Sequence, residues 1–188
     1  MTDDVRGHVR IAMASHVVSP LINQALTGFH RDHPLATLKI EVLSSSKAIA
    51  EVAAKRASFA ICLVGDHHPN LEYRRVFREY FGLFCGPPHP LFGRDDLTIA
   101  DLEGHSSVSF ETDRLQDVLK PITVMRAQAA LGQKITGVSS HLEEVRRMIF
   151  SGLGVGPLPI HVAERDVQDG QLWQVPPYKD LPAIDVYL

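Results

Sequence analysis

Cysteine is scarce in this 188-residue chain. There are two, Cys62 and Cys85, too few for a disulfide scaffold. Both sit in apolar runs, AICLV and FGLFCG, and are expected to be small buried hydrophobes. Basic excess is missing as well. The formal net charge is -3 and the sequence pI about 6.3. The densest basic cluster, Arg74, Arg75 and Arg78, is flanked by Glu72 and Glu79. Phosphate binding needs a basic face, so this chain is not expected to grip duplex DNA by itself. No stretch approaches the roughly 20 apolar residues of a membrane span. The opening MTDDVRGHVRIAMAS is acidic and polar, without a secretory n-region or h-region, which makes a cytoplasmic location the expectation. There is no solenoid repeat and no low-complexity tract. P-loop, GxGxxG after a strand, HExxH and GxSxG are all missing.

What is present reads as a globular α/β protein. The composition is 45% hydrophobic and 22% charged. HVRIAMA (8–14), LKIEVL (38–43) and FAICLV (59–64) read as buried strands. Between them lie two helical runs. The first is capped by Ser19-Pro20 and stopped by His33-Pro34. The second, KAIAEVAAKRA, should face Ile49, Val52 and Ala53 inward. Strand, helix, strand, helix, strand with short links signals a parallel sheet. GPPHPLFGRDD (86–96) breaks the pattern as an irregular loop. A second set follows: a turn at 99–105, a strand at 106–110, a helical stretch 113–131 split or kinked by Pro121, and a strand at 134–138. Next come a helix capped by Ser139 or Ser140 with Glu143 in a capping box, and an end at Gly152. The last elements are a strand at 155–159, a helix, and strands at 171–175 and 183–188. The pattern gives two α/β units, about 1–80 and 87–155, with the C-terminal part returning toward the first.

The ten histidines form no i, i+4 pair and no CxxC accompanies them, so no metal site and no cofactor is expected. His16 reads either as a turn histidine or as a ligand-facing donor after a central strand. Serines at strand ends are the most informative residues. Ser15 precedes the first helix, and Ser44, Ser45 and Ser46 precede the second. In open parallel sheets ligands lie beyond the carboxyl ends of the strands, where helix N-termini offer free N–H groups and partial positive charge. A serine there can cap the helix, touch a ligand, or both. Nucleophilic catalysis would need a base and an orienter that the sequence does not identify.

Several segments in order resemble the effector-binding (substrate-binding) domain of LysR-type transcriptional regulators. GHVRIAMA resembles the family's first strand, and SPLINQALTGFHRDHP its first helix. PPHPLFGRDDLTIADLEGH resembles its HPLA element with the following ADL helix; here HPLF stands for HPLA. VSSHLEEVRRMIFSGLGVGPLP resembles the helix, glycine turn and Leu-Pro of the second lobe, and DGQLWQV the G-x-L strand. In KRASFAI, Ser58 stands where the family usually has aspartate. The resemblance implies a two-lobed, type 2 periplasmic-binding-protein-like fold, two Rossmann-like lobes joined by two crossover strands. Lobe one is expected at 1–82 plus 158–188 and lobe two at 83–157, with crossovers near Tyr80–Cys85 and Val155–Leu158. The family's N-terminal winged helix-turn-helix is absent from this chain.

The same resemblance implies a regulatory domain, not an enzyme, that binds a small polar or anionic effector in the interlobe cleft and transmits it to transcription. The implied effector residues are Ser15, His16, Ser45 and Ser46 from lobe one, Ser109, Phe110 and Val138 from lobe two, and Leu158 at the returning crossover. Ser46→Ala should weaken binding about tenfold and cost about 1 kcal/mol as a lost cap. Partners expected are the effector, a second copy (a homodimer, and a tetramer when full-length) and promoter DNA through the missing domain. A transporter's solute-binding protein with the same fold is the alternative; an enzyme on this scaffold would need a catalytic cluster.

Overall fold

The computed structural model describes residues 7–111 and 118–188. The chain divides into two compact units, Met1–Val76 with Val186–Leu188, and Phe77–Asp185.

The first unit is built around β1 (His8–Ala14). β2 (Thr37–Leu43) pairs parallel with it along its whole length, from His8 opposite Thr37 to Ala14 opposite Leu43. β3 (Phe59–Leu63) pairs parallel on the other edge, Ile11 opposite Phe59. The end of β9 (Ala183–Tyr187) runs antiparallel to β3, Leu63 opposite Val186. α1 (Pro20–Asp32) and α2 (Ser45–Ala53) are the crossovers. α1 begins where its local signals place it: the Leu21 N–H donates to Ser19 Oγ at 3.3 Å, and Pro20 takes the first position, where its missing N–H costs nothing. α2 starts at Ser45, two residues before the expected run. Its inward stripe therefore shifts. Ala48 is the buried residue, Ile49 and Val52 are half-buried, and Ala53 is exposed. Ser58 answers the β1 edge from both sides. Its Oγ accepts from the Arg10 N–H at 3.2 Å, and its own N–H donates to the Arg10 carbonyl at 2.7 Å.

The second unit centres on β4 (Arg75–Cys85), whose last five residues, Phe81–Cys85, are all buried. β7 (Gly156–Pro159) and β8 (Trp173–Val175) pair antiparallel with it. β5 (Ser107–Phe110) and β6 (Ile135–Ser139) form a parallel pair. α3 (Lys120–Gln128), α4 (Leu142–Phe150) and α5 (Ile160–Gln168) complete it, with a 3-10 turn at Ile99–Leu102. Pro121 stands in the first turn of α3, the one part of a helix where proline is tolerated. The part of the expected helical stretch at 113–117 lies outside the described residues. α4 is entered from His141 at the cap position, and the Ser139 hydroxyl accepts the His141 N–H at 3.1 Å. The stretch 158–185 packs with this unit because β7 and β8 pair with β4. The chain thus passes between units within β4, after Val76, and within β9, after Asp185.

Both cysteines are buried and unbonded, as expected. Burial pushes the Cys62 thiol up to about 11 and the Cys85 thiol up to about 12. No helix among the described residues is long and apolar enough to cross a membrane.

Candidate functional site

In the first unit, β1, β2 and β3 point the same way, so their carboxyl ends form one edge. The link after β1 carries Ser15 and His16. Val17 N–H closes a turn on the Ala14 carbonyl at 3.0 Å, leaving Ser15 half-buried and His16 buried. Ser19 does the capping of α1, which separates that task from Ser15. The link after β2 is Ser44, with Ser45 and Ser46 already in the first turn of α2. Ser45 Oγ accepts the Leu63 N–H at 3.2 Å and so ties α2 to the end of β3. Ser46 is exposed, its Oγ 3.3 Å from that of Ser44. Ser44 holds the cap position but accepts no side-chain cap bond, so Ser46 is not the cap it was expected to be.

The electrostatics of this edge favour an anion. The first N–H groups of a helix have no partner within the helix and carry partial positive charge. Neither α1 nor α2 places an acidic residue in its first turn, and Lys47 adds a cation to that of α2. A cation there is unfavourable for an isolated helix and suits one that receives an anion.

In the second unit, Ser109 and Val138 are register partners across β5 and β6. Val138 is 52% exposed. Phe110 is buried, edge-on to Phe81 with ring centroids 6.4 Å apart. Leu158 lies wholly in the core, opposite Gly82 of β4. The Ser109 hydroxyl is engaged by Arg126, whose Nη1 donates to it at 2.8 Å. Arg126 Nη2 donates to Ser107 Oγ at 3.0 Å, and that hydroxyl donates to the Leu131 carbonyl at 2.6 Å. Strand alternation puts Ser107 and Ser109 on the α3 face of β5. The buried Arg126 was not anticipated from sequence, although it shares a helical face with Ile122 and Ala129 by i, i+4, i+7 spacing.

Two further buried titratable groups lie in this unit. Desolvation pushes the Glu79 carboxyl up to about 8. Burial, assisted by the neighbouring His105, pushes His89 down to about 4, and its Nδ1 accepts the Leu91 N–H at 3.2 Å. Among the described residues no three His, Cys, Asp or Glu side chains gather as metal ligands.

Parallel strands with crossover helices, passing into a second α/β unit and back, define the class: a type 2 periplasmic-binding-protein-like fold. A family model described as the LysR substrate binding domain matches residues 2–188, and the chain belongs to that family. Among solved structures it is similar to the bromide-bound regulatory domain of HypT from Salmonella typhimurium, with 17% identity, 100% of this chain and 87% of that one covered, and a TM-score of 0.68. It is similar to the effector binding domain of QuiR in complex with shikimate, with 14% identity, 97% and 86% covered, and a TM-score of 0.76. The reduced regulatory domain of OxyR2 from Vibrio vulnificus matches at 13% identity, 98% and 86% covered, and a TM-score of 0.74. The chain is a LysR-type effector-binding regulatory domain; the family consists of parts of transcription regulators, not of enzymes.

Proposed function

We propose that this domain senses a small polar or anionic metabolite and performs no catalysis. In the first unit Ser15, His16 and Ser46 contact the effector, while Ser45 supports the edge from behind. Of the second unit's residues, Phe110 and Val138 remain in the proposal. Ser109 acts through Arg126, and Leu158 as packing beneath. Occupancy is passed to promoter DNA through the regulator's DNA-binding domain, in the cytoplasm. The observation that carries this reading is the carboxyl edge of β1–β3, with two acid-free helix N-termini and the exposed Ser46. The energetics require several contacts together. A micromolar Kd needs about 8 kcal/mol, a helix N-terminus gives an anion about 0.3–1 kcal/mol, and a charge-assisted hydrogen bond about 1.5–3 kcal/mol.

A thermal-shift screen of organic acids, amino acids and aromatics tests this. A true effector at 100 times its Kd adds about 2.7 kcal/mol of stability, read as a Tm rise of at least about 5 °C for a chain of this size. A panel in which no such compound saturates would refute it.

The domain also self-associates on this reading. α1 has an apolar stripe, Leu21, Ile22, Leu26 and Phe29, yet none of its residues is buried. One face of β2 leaves Leu38, Ile40 and Val42 exposed as well. Apolar surface of this extent is what a protein interface covers. On this reading the helix packs against α4 of a second copy in a homodimer, and the full-length regulator forms a tetramer.

A further inference from the structure

The second unit holds an open groove of about 810 Å³, remote in sequence from the serine edge of the first unit. α3 forms one wall, the residues around the 3-10 turn a second, and the segment 176–182 a third. Its volume falls in the range of about 300–1,000 Å³ typical of small-molecule sites. Leu97 and Met125 are buried at its base. Ile99, Val124 and Tyr178 are exposed by 44%, 37% and 47%, so three large apolar side chains face one groove and are left to water. Prolines at 121, 177 and 182 make the walls stiff, so little ordering is needed on binding. The lining carries two ammonium groups, Lys120 and Lys179, against one carboxylate, Asp180. Outside the lining, Asp95 and Asp96 lie close enough to add to burial in raising the Tyr178 hydroxyl; Asp96 and Asp101 are paired with Arg94, and Asp101 also holds Thr98.

We propose that this groove is a second ligand site, for a small organic monocarboxylate with an apolar body. The body lies against Ile99, Val124 and Tyr178, and the carboxylate takes the excess positive charge of Lys120 and Lys179. The proposal does not depend on the effector site of the first unit.

The test uses the whole domain with 1-anilinonaphthalene-8-sulfonate as an anionic fluorescent probe and octanoate as competitor. Octanoate should displace the probe saturably, one per chain, and 1-octanol should compete more weakly. Lys120→Glu with Lys179→Glu should weaken octanoate at least about tenfold and leave 1-octanol unchanged, since charge alone is altered. Val124→Asp should weaken both. Lys179→Met, at an exposed loop position, gives the same reading with a smaller loss should the double variant not fold. Arg147→Met, outside the groove lining, should change neither. The proposal is overturned if octanoate fails to displace the probe in the low millimolar range, if the lysine variants bind it as the wild type does, or if Arg147→Met weakens it equally.

Discussion

Ser45 and Ser46 are neighbours in one turn, and the structure puts them in opposite settings. Ser45 Oγ accepts the Leu63 N–H at 3.2 Å in a partly buried setting. Ser45→Ala leaves that donor without its acceptor at the end of β3, costing about 1–2 kcal/mol. For a chain of this length each kcal/mol lowers Tm by about 2–4 °C, so a drop of about 2–8 °C is expected. Ser46 is exposed and is not the cap, so Ser46→Ala should move stability by no more than about 0.5 kcal/mol. That is less than a lost cap would cost. Its effect falls on binding, where one lost charge-assisted bond of about 1.5 kcal/mol is roughly tenfold in Kd. Urea denaturation and titration with a hit from the organic-acid screen read the two quantities on the same samples, with Ser140→Ala as a distant control. Equal destabilisation by both substitutions, or unchanged affinity in Ser46→Ala, would refute the division of labour.

Other expectations follow from burial and charge. Arg146 Nε donates to Asp166 at 2.6 Å, tying α4 to α5, with Asp166 7% exposed. Arg146→Met should cost about 2 kcal/mol in urea denaturation, below the full loss for a deeply buried pair because Arg146 is partly exposed. Arg147→Met, which breaks the exposed pair with Glu144, should cost no more than about 0.5 kcal/mol. Glu79, with its folded value raised to about 8, keeps its proton in the native state after the unfolded chain has lost it. Stability from this group should therefore fall as pH rises from about 4.5 to about 8, and Glu79→Gln should flatten that limb. His89 has the opposite sign: its folded value is lowered to about 4, so stability should fall as pH drops below about 6.5, and His89→Asn should flatten the acid limb. Leu26→Glu on α1 should shift sedimentation velocity profiles from dimer to monomer at micromolar protein; a wild-type domain that is monomeric at high micromolar concentration would sink the self-association reading.

The first unit was legible because its determinants are local. Ser19-Pro20 starts α1, alternation marks β1, and chain order alone brings the serine links to one edge of a parallel sheet. The exact task of each serine was not legible. Ser45 is claimed by Leu63, eighteen residues away, and no local pattern announces a bond of that kind. The start of α3 was not legible for a related reason. The proline signal was correct, but whether it splits a helix or opens one depends on where the helix begins. That 158–185 packs with the second unit was not legible locally, because it rests on which strands pair with β4, and that pairing is long-range.

The second unit shows how far local reasoning about a site can be overridden by packing. Ser109 sits at a strand end, where a ligand donor is expected, yet its side-chain parity turns it toward α3 and a buried guanidinium. A buried charge without hydrogen bonds costs several kcal/mol, so Arg126 needs the hydroxyls of Ser107 and Ser109 as much as they need it. The glycines of Gly152–Gly156 make the same point. Gly152 has a φ of +76° and ends its helix by a local rule. Gly154 and Gly156 are required by neighbours far along the chain: a Cβ on the first would stand 2.5 Å from the Ser106 carbonyl oxygen, and on the second 2.5 Å from Val108 Cγ2. Both contacts press on β5, the strand that also carries Ser109 and Phe110. Residues around β5 are thus fixed from α3 on one side and from the glycine turn on the other. A strand held this way fixes where Phe110 lies, while the hydroxyls of Ser107 and Ser109 are taken up by the Arg126 guanidinium.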